Sequence, residues 1–179
     1  MSAEPYIKNT IVARGLVIDS QGKILLVSES GKNWHMPGGM LDDLEEANKS
    51  CEREVLEETG LEIQALDIFY IYQGLSDSRE KFGNFLSFLT LYFTTKILHN
   101  ETLDSNWQDP DGNLIQYRKF FDLTEIIDSQ DIGHYTKNVF KYIQKTGITN
   151  LPCIPFEYGN GTKMQKQDIL NICTNLNCV

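Results

Sequence analysis

Hydrophobic residues recur along the chain with two different periods, and the shorter period predicts strands. Apolar runs of strand length, with alternating or two-sided apolar faces, occur in five places. They are "NTIVARGLVID" (Asn9–Asp19), "KILLVSE" (Lys23–Glu29), "LEIQALDIFYIYQG" (Leu61–Gly74), "NFLSFLTLYFTTK" (Asn84–Lys96) and "LIQYRKFF" (Leu114–Phe121). The turn signal "SQG" lies between the first two runs and predicts that they form a hairpin. Asn84–Lys96 is apolar on both faces, so we expect it to be a central, buried strand.

Helical periodicity appears in a long segment that follows the loop "SGKNWHMPGG". From about Leu44 to Thr59 the apolar residues return every three or four positions, so they share one face of a helix. Gly60 follows directly and is suited to end the helix in the left-handed conformation. The apolar face, which should pack on the sheet, consists of Leu44, Ala47, Cys51 and Val55.

A second long helix is predicted for "HYTKNVFKYIQKTG", and a short one for the residues around "EII". Either Asp122 or Thr124 is suited to cap the short helix. Strands interrupted by two main helices predict an α+β or α/β fold with a mixed sheet.

The chain changes character after Gly147. "NLPCIPFEYGNGTK" is rich in Pro, Gly and Asn, and an apolar helical stripe follows. The residues of this stripe are Ile169, Ile172, Cys173 and Leu176. We therefore expect a globular domain over residues 5–146 and a C-terminal appendage over residues 147–179 with a short amphipathic helix. The stripe should pack on the domain or on a partner, such as a second copy in a homodimer.

Composition narrows the class of partner. The 179 residues carry a formal net charge of -9 and are 41% hydrophobic. An acidic surface repels phosphate backbones, so we expect no nucleic-acid polymer as partner; a small anionic substrate needs a bridging cation.

The first residues lack a signal-peptide pattern, and no apolar run is long enough to span a membrane. The four cysteines form no CxxC pair and predict free thiols, so a cytoplasmic location is expected.

The helix predicted for about Leu44 to Thr59 ends in a group of carboxylates. Glu54, Glu57 and Glu58 are spaced i, i+3, i+4, so they project together beside the apolar face. Mutual repulsion, partial burial and the helix dipole all disfavour their charges there. A hard divalent cation resolves this conflict. The alternative is a solvated acidic surface offset by Lys49 and Arg53, in which Arg53 pairs with Glu57.

At these residues the sequence resembles the Nudix hydrolase family. The family's box reads G-x5-E-x7-R-E-U-x-E-E-x-G-U, where U is a bulky aliphatic residue, and every fixed position is satisfied here. The matching residues are Gly39, Glu45, Arg53, Glu54, Val55, Glu57, Glu58, Gly60 and Leu61. The preceding "WHMPGG" also resembles the family's approach to the box. The order of predicted strands extends the resemblance over about residues 5–146, but not to the tail.

The resemblance implies an α/β fold class, a Nudix-type α/β/α sandwich on a mixed β-sheet. It implies hydrolysis of a diphosphate bond in a nucleoside diphosphate linked to another moiety, with Mg²⁺ or Mn²⁺ as cofactor. Such cations activate water and neutralise phosphoryl oxygens, so an acidic protein needs no basic groove. One alternative is a non-catalytic Nudix-fold ligand sensor or partner-binding module. Another is an acidic interaction domain without metal.

The resemblance also assigns roles to residues. Arg53 orients the glutamates, and Glu45 has a structural or indirect part. The implied metal ligands are the backbone carbonyl of Gly39 and the side chains of Glu54, Glu57 and Glu58. The implied catalytic residues are Arg53, Glu54, Glu57 and Glu58.

The general base stays open. Many family members carry a glutamate in the last strand, where this chain has Gln116 and Tyr117. The base is therefore expected either within the box, with Glu54 favoured, or in the loop from His99 to Asn113. The acidic residues of that loop are Glu101, Asp104, Asp109 and Asp111.

The substrate also stays open. His35, which precedes the box, is the histidine best placed to touch it. Five aromatic residues offer a surface for stacking on a base or, more simply, for core packing. They are Trp34, Tyr70, Tyr72, Phe82 and Trp107.

Overall fold

The predicted strands and helices form, with changes at their ends. The computed structural model describes residues 7–78, 84–110 and 115–152. Its strands are β1 (Ile7–Leu16), β2 (Ile24–Ser28), β3 (Gly38–Met40), β4 (Ile63–Ser78), β5 (Asn84–Ile97) and β6 (Tyr117–Phe121). Its helices are α1 (Ala47–Thr59), α2 (Leu123–Asp128) and α3 (His134–Thr146), followed by a 3-10 turn at Ile148–Asn150.

The strands form two sheets. Four strands lie in the order β3-β1-β5-β4, and β2 pairs with β6 in a second, two-stranded sheet. β1 runs parallel to β5, whereas the β1–β3 and β4–β5 pairs are antiparallel. The predicted mixed sheet is therefore confirmed, and β5 is a central strand as its two-sided apolar pattern predicted.

Alternate residues of the strands face two separate cores. In β5, Leu91 and Phe93 join one core, and Tyr92 between them joins the other. α1 covers the first core with residues such as Val55, and α3 covers the second with residues such as Phe140. This period of two places a helix on each face of the sheet, so the predicted α/β/α sandwich is confirmed.

The predicted hairpin of the first two strands is wrong beyond its turn. At the turn, the carboxylate of Asp19 accepts backbone hydrogen bonds from Gln21 and Lys23. The two segments then share an isolated bridge between Ile18 and Ile24 instead of a ladder. The edges of β1 are already taken by β3 and β5, and all five residues of β2 are buried. β2 therefore pairs with β6, which comes from much later in the chain.

The predicted start of the long helix near Leu44 is also wrong. α1 begins at Ala47, while Leu44 has a φ of 66° and a fully exposed side chain. The loop turns back here because the Glu45 carboxylate accepts hydrogen bonds from the backbone of Asp42 and from Arg53. Leu44 thus leaves the predicted apolar face, whose other members are buried.

The C-terminal end of α1 forms as predicted, whereas the predicted cap of α2 makes no side-chain hydrogen bond. Gly60 ends α1 with a φ of 75°, and its N–H donates to the carbonyl of Leu56, as predicted. Asp122 occupies the N-cap position of α2 but makes no side-chain capping bond. Cys51 is buried and carries a free thiol, as expected; the other three cysteines lie outside the described residues.

The end of the described chain packs on the domain. Ile148 in the 3-10 turn and Leu151 directly after the turn contact the second core. The predicted amphipathic helix of the appendage lies outside the described residues. Within the described ranges, none of the helices has the length and apolar content needed to cross a membrane.

Candidate active site

The short strand β3 brings the start of the box against both β1 and α1. In the antiparallel register, Gly38 pairs with Arg14 and Gly39 with Ala13. Gly38 has a φ of 138°, and a Cβ there would strike the carbonyl of Ala13. A Cβ at Gly39 would instead overlap the carboxylate of Glu54, which reaches over from α1. The two glycines therefore allow a carboxylate to lie directly against the box backbone.

Arg53 is the shared partner of the acidic side chains. Its Nε and Nη2 donate to the two carboxylate oxygens of Glu45 at 2.8 and 2.9 Å. Its Nη1 donates to both Glu54 and Glu57 at 2.9 Å. The side chains of these three glutamates are 16%, 17% and 21% exposed. The predicted pair of Arg53 with Glu57 is present, but it belongs to a partly buried cluster and not to a solvated face.

The carboxylates of this cluster differ in pKa, and therefore in how readily they ionise. Hydrogen bonds from Arg53 hold the pKa of Glu45 at about 2. Burial raises the pKa of Glu54 above its ordinary value and raises the pKa of Glu58 to about 7. Arg14 and Arg53 counteract this burial effect only in part. The positive charge near Glu54 and Glu58 is therefore too small to offset the cost of burying their ionised forms.

The donor set fits a hard divalent cation. Carboxylate and carbonyl oxygens are the ligands that Mg²⁺ and Mn²⁺ prefer, and Gly39 leaves room for Glu54 beside its backbone. In the arrangement described, Glu54 and Glu57 are bonded to Arg53, and Glu58 accepts a bond of 2.8 Å from the N–H of Gly38. Among the described side chains, no three His, Cys, Asp or Glu converge closely enough to enclose an ion. Ion binding would therefore require these glutamates to exchange protein donors for the cation.

Two side chains from later in the chain hold the C-terminal end of α1. The indole N–H of Trp107 donates to the carbonyl of Glu57 at 2.9 Å, and its ring lies against Gly60. The Nε of Arg118 donates to the carbonyl of Glu58. A helix end leaves such carbonyls without partners, so these contacts fix the backbone that carries two of the glutamates. Sequence reasoning missed both roles, because no local pattern marks them.

The acidic residues of the loop between β5 and β6 are spread apart. Glu101 accepts a backbone hydrogen bond of 2.9 Å at the β1–β2 turn, and Asp104 accepts one of 2.8 Å within its own loop. Asp111 lies outside the described residues. Of the described loop acids, Asp109 has a charge that reaches Glu58, where it adds to the rise in pKa.

A cavity of about 370 Å³ lies on the face of the sheet opposite α1. Tyr72 and Tyr135 line it, together with Arg14 and His35. The Nη1 of Arg14 donates to the Nδ1 of His35 at 2.8 Å and also to the carbonyl of Met36. The Nδ1 of His35 also lies 3.1 Å from that carbonyl; because a guanidinium only donates, the shorter contact with Arg14 requires Nδ1 to accept, which assigns the imidazole proton to Nε2. Sequence reasoning missed Arg14, although a basic residue within the apolar run "TIVARGLV" was a signal that could have found it.

The aromatic candidates have different positions. Trp34 packs edge-to-face on Phe121 with ring centroids 5.0 Å apart, which is a packing role. Tyr70 likewise packs on Tyr92, and Phe82 lies outside the described residues. Of the four that are described, Tyr72 lines the cavity.

His35 should make the stability of the protein sensitive to mild acid. Burial, followed by the charge of Arg14, lowers the pKa of His35 from 6.5 to about 4. Its stabilising contribution is therefore complete above pH 6.5 and is lost as the pH falls towards 4, in total on the order of 3 kcal/mol. We expect the free energy of unfolding, measured by urea titration in EDTA, to fall more between pH 7 and 4 for the wild type than for His35→Asn. Equal pH dependence in the two proteins would contradict this assignment.

Solved structures share this fold. A NUDIX hydrolase from Nitrosomonas europaea has a TM-score of 0.62 at 24% identity and covers 87% of this chain and 100% of its own. The MutT protein from Methanosarcina mazei Go1 has a TM-score of 0.60 at 19% identity, with 80% and 97% of the two chains covered. These likenesses establish the fold.

Similarity in sequence identifies the family as well as the fold. The nucleoside diphosphate-linked moiety X motif 6 protein of Xenopus laevis is 30% identical over 113 residues, which is 58% of this chain and 52% of that protein. The chain thus spans about half the length of this curated relative. The family model of the NUDIX domain matches residues 8–141, which include the box and the strands around it. The chain therefore belongs to the NUDIX family of hydrolases.

Proposed function

We propose that the protein hydrolyses a diphosphate bond in a nucleoside diphosphate linked to another moiety. Nudix hydrolases generally use divalent metal ions and act on small nucleotide-type substrates. The observation that carries the proposal is the cluster at the end of α1, where burial disfavours the charges of Glu54 and Glu58 and where Arg53 is shared by Glu45, Glu54 and Glu57. The Xenopus laevis relative is named after a nucleoside diphosphate-linked moiety X, which supports the same substrate class.

The cofactor in this proposal is Mg²⁺ or Mn²⁺. Its ligands are the backbone carbonyl of Gly39 and the carboxylates of Glu54, Glu57 and Glu58. When bound, such an ion supplies positive charge for phosphoryl oxygens and lowers the pKa of water. The raised pKa of Glu54 and Glu58 supports the assignment, because a nearby cation would favour their ionised forms.

Arg53 and Glu45 act as positioning residues in this proposal. Glu45 holds the guanidinium of Arg53 with two hydrogen bonds, and its low pKa keeps it ionised at neutral pH. Arg53 in turn aligns Glu54 and Glu57 through one nitrogen. A bidentate pair fixes the direction as well as the position of a guanidinium, so the two glutamates have a defined starting geometry.

Glu54 is the proposed general base. It lies against the box backbone at Gly39 and is largely shielded from solvent. Burial raises its pKa in the absence of the ion, and a carboxylate that binds the ion through one oxygen keeps a second oxygen that can accept a proton. Asp109 is the rival from the loop, since its charge reaches Glu58.

A substrate panel tests the proposed function. The panel contains nucleoside triphosphates, ADP-ribose, dinucleoside polyphosphates, NAD(H), coenzyme A and nucleotide sugars, each with Mg²⁺, with Mn²⁺ and with EDTA. We expect turnover of at least one compound with a metal ion and none with EDTA, as measured by chromatography of the products. Glu57→Gln should lower kcat by orders of magnitude, whereas the exposed Glu62→Gln should not change it.

Two results would contradict the function. One is the absence of turnover with either ion across the panel, which would favour the ligand-sensor alternative. The other is near-full activity of Glu57→Gln, which would remove the metal-ligand assignment. A cytoplasmic location and docking of residues 147–179, either on the same domain or on a second copy in a homodimer, belong to the proposal as well, supported by the sequence pattern alone.

A further inference from the structure

The backbone carbonyls of Glu57 and Glu58 have partners that lie far away in the sequence. The last carbonyls of a helix have no partner within the helix itself. Here the carbonyl of Glu57 accepts from Trp107, 50 residues later, and that of Glu58 accepts from Arg118, 60 residues later. The same two residues carry carboxylates of the acidic cluster. The last turn of α1 is therefore held by the β5–β6 loop and by β6 itself.

Trp107 is fixed from both its backbone and its ring. Its N–H donates to the carbonyl of Asp104 at 3.1 Å, and the carboxylate of Asp104 accepts from the N–H of Asn106 at 2.8 Å. Directly before this turn, Leu103 packs on the first core. The indole ring lies so close to Gly60 that a Cβ there would come within 2.8 Å of it. These contacts define the direction in which the indole N–H points.

Arg118 supplies positive charge at the same helix end. Its Nη2 donates to the carbonyl of Ile115 at 3.1 Å, while its Nε donates to the carbonyl of Glu58. Residues 56–59 of α1 include no basic side chain, so Arg118 takes the place of one at the negative end of the helix dipole. Burial lowers the pKa of Arg118, and the charges of Asp109 and Glu58 counteract this effect. The guanidinium is thus held within electrostatic reach of Glu58.

The partners of the carboxylates and the partners of the carbonyls respond differently to ion binding. Arg53 and the N–H of Gly38 bond to carboxylates of the acidic cluster, which must exchange these donors for an ion. Trp107 and Arg118 bond to carbonyls outside the proposed donor set, so their contacts do not compete with an ion. Partners that orient metal ligands from outside the site typically contribute 10- to 100-fold to metal affinity, to order of magnitude about tenfold each.

We propose that Trp107 and Arg118 are positioning residues that set the affinity for the divalent cation by fixing the backbone of Glu57 and Glu58. The inference rests on the proposed function, whose cation it concerns, and adds two residues from outside the box. Without these contacts the last turn of α1 would adopt conformations in which the carboxylates do not converge. Ion binding would then have to order the turn first, which weakens the affinity.

Titration with Mn²⁺ alone, followed by the electron paramagnetic resonance signal of the free ion, tests the inference without turnover. Trp107→Phe keeps an aromatic ring but loses the N–H donor, and we expect it to weaken Mn²⁺ binding about tenfold. Arg118→Gln should also weaken it about tenfold. Loss of a positive charge by itself would strengthen the binding of a cation, so the direction of the change separates positioning from electrostatics.

Trp34→Phe is the matched control for the lost hydrogen bond. The indole N–H of Trp34 donates to the carbonyl of Gly31 at the same distance of 2.9 Å, but its ring packs on the second core. We expect this variant to keep the wild-type Mn²⁺ affinity. Lys119→Gln controls for charge on β6, because it removes an exposed cation next to Arg118, and it should also keep that affinity.

Tryptophan fluorescence supplies a signature that a purely structural role would not give. The chain contains two tryptophans, Trp34 and Trp107, so Trp34→Phe reports on Trp107 alone and Trp107→Phe reports on Trp34 alone. We expect Mg²⁺ to change the emission of Trp34→Phe and to leave that of Trp107→Phe unchanged. The reason is that the indole N–H of Trp107 is bonded to Glu57, one of the proposed ligands.

Four results would overturn the inference. They are an unchanged Mn²⁺ affinity in Trp107→Phe, an unchanged or higher affinity in Arg118→Gln, an equal loss in Trp34→Phe, and no effect of Mg²⁺ on the emission of Trp107. If Trp107→Phe does not fold, the Arg118→Gln titration and the emission of Trp34→Phe decide.

The proposed function fails under different results. Metal-dependent turnover together with any of these four results would leave the function intact and remove the roles of Trp107 and Arg118. The expected affinities without turnover of any panel compound would do the reverse. A wild type that binds no Mn²⁺ would overturn both.

Discussion

Glu54→Gln should lower kcat by about 10²–10⁴-fold, the range typical of a lost general base. The amide has nearly the same shape as the carboxylate, so it can keep the contact with Arg53, but it cannot accept a proton. The measurement is kcat on a substrate from the panel, together with the Mn²⁺ affinity by calorimetry.

The control for this variant is Asp109→Asn, the loop acid whose charge reaches Glu58. We expect its kcat to fall much less than that of Glu54→Gln. Glu52→Gln controls for charge on the same helix, since Glu52 bonds to Lys49 and to the backbone of Ala65. If Asp109→Asn loses as much activity as Glu54→Gln while its Mn²⁺ affinity stays unchanged, the base belongs to the loop.

Gly39→Ala and Gly38→Ala should separate activity from folding. At Gly39 the added methyl group would meet the end of the Glu54 side chain, which is able to move away. We therefore expect a folded protein whose kcat falls about as far as that of Glu54→Gln. At Gly38 the methyl group would meet the backbone of Ala13, and the φ of 138° disfavours any side chain. That variant should lose about 1–3 kcal/mol of stability or more, because the β1–β3 pairing cannot form without strain.

The two glycine variants are compared by melting temperature and by kcat. Gly39→Ala should melt close to the wild type and be nearly inactive, whereas Gly38→Ala should melt well below it. Wild-type activity in Gly39→Ala would show that the close approach of Glu54 to the box backbone has no catalytic importance. A wild-type melting temperature in Gly38→Ala would show that β3 tolerates a side chain there.

Local periodicity determined the elements and the acidic cluster. A helix of 3.6 residues per turn places positions i, i+3 and i+4 together wherever it packs, so the spacing of Glu54, Glu57 and Glu58 was sufficient to predict their cluster. In the same way, the two-sided apolar pattern of Asn84–Lys96 predicted the central strand β5, because a strand buried on both faces has no polar face. Such features depend on neighbours in sequence, and the sequence contains them in full.

The tertiary structure decided which distant residues meet. β2 pairs with β6 and not with β1, since the edges of β1 are occupied by strands from elsewhere in the chain. Arg14 meets His35 across 21 residues, Trp107 meets the carbonyl of Glu57 across 50, and Arg118 meets that of Glu58 across 60. No repeat along the chain encodes these separations, because they arise from the packing of the sheet between its two cores. The acidic cluster could therefore be predicted from the sequence, whereas the contact of Arg14 with His35 and the side chains that hold the end of α1 could be found only in the folded chain.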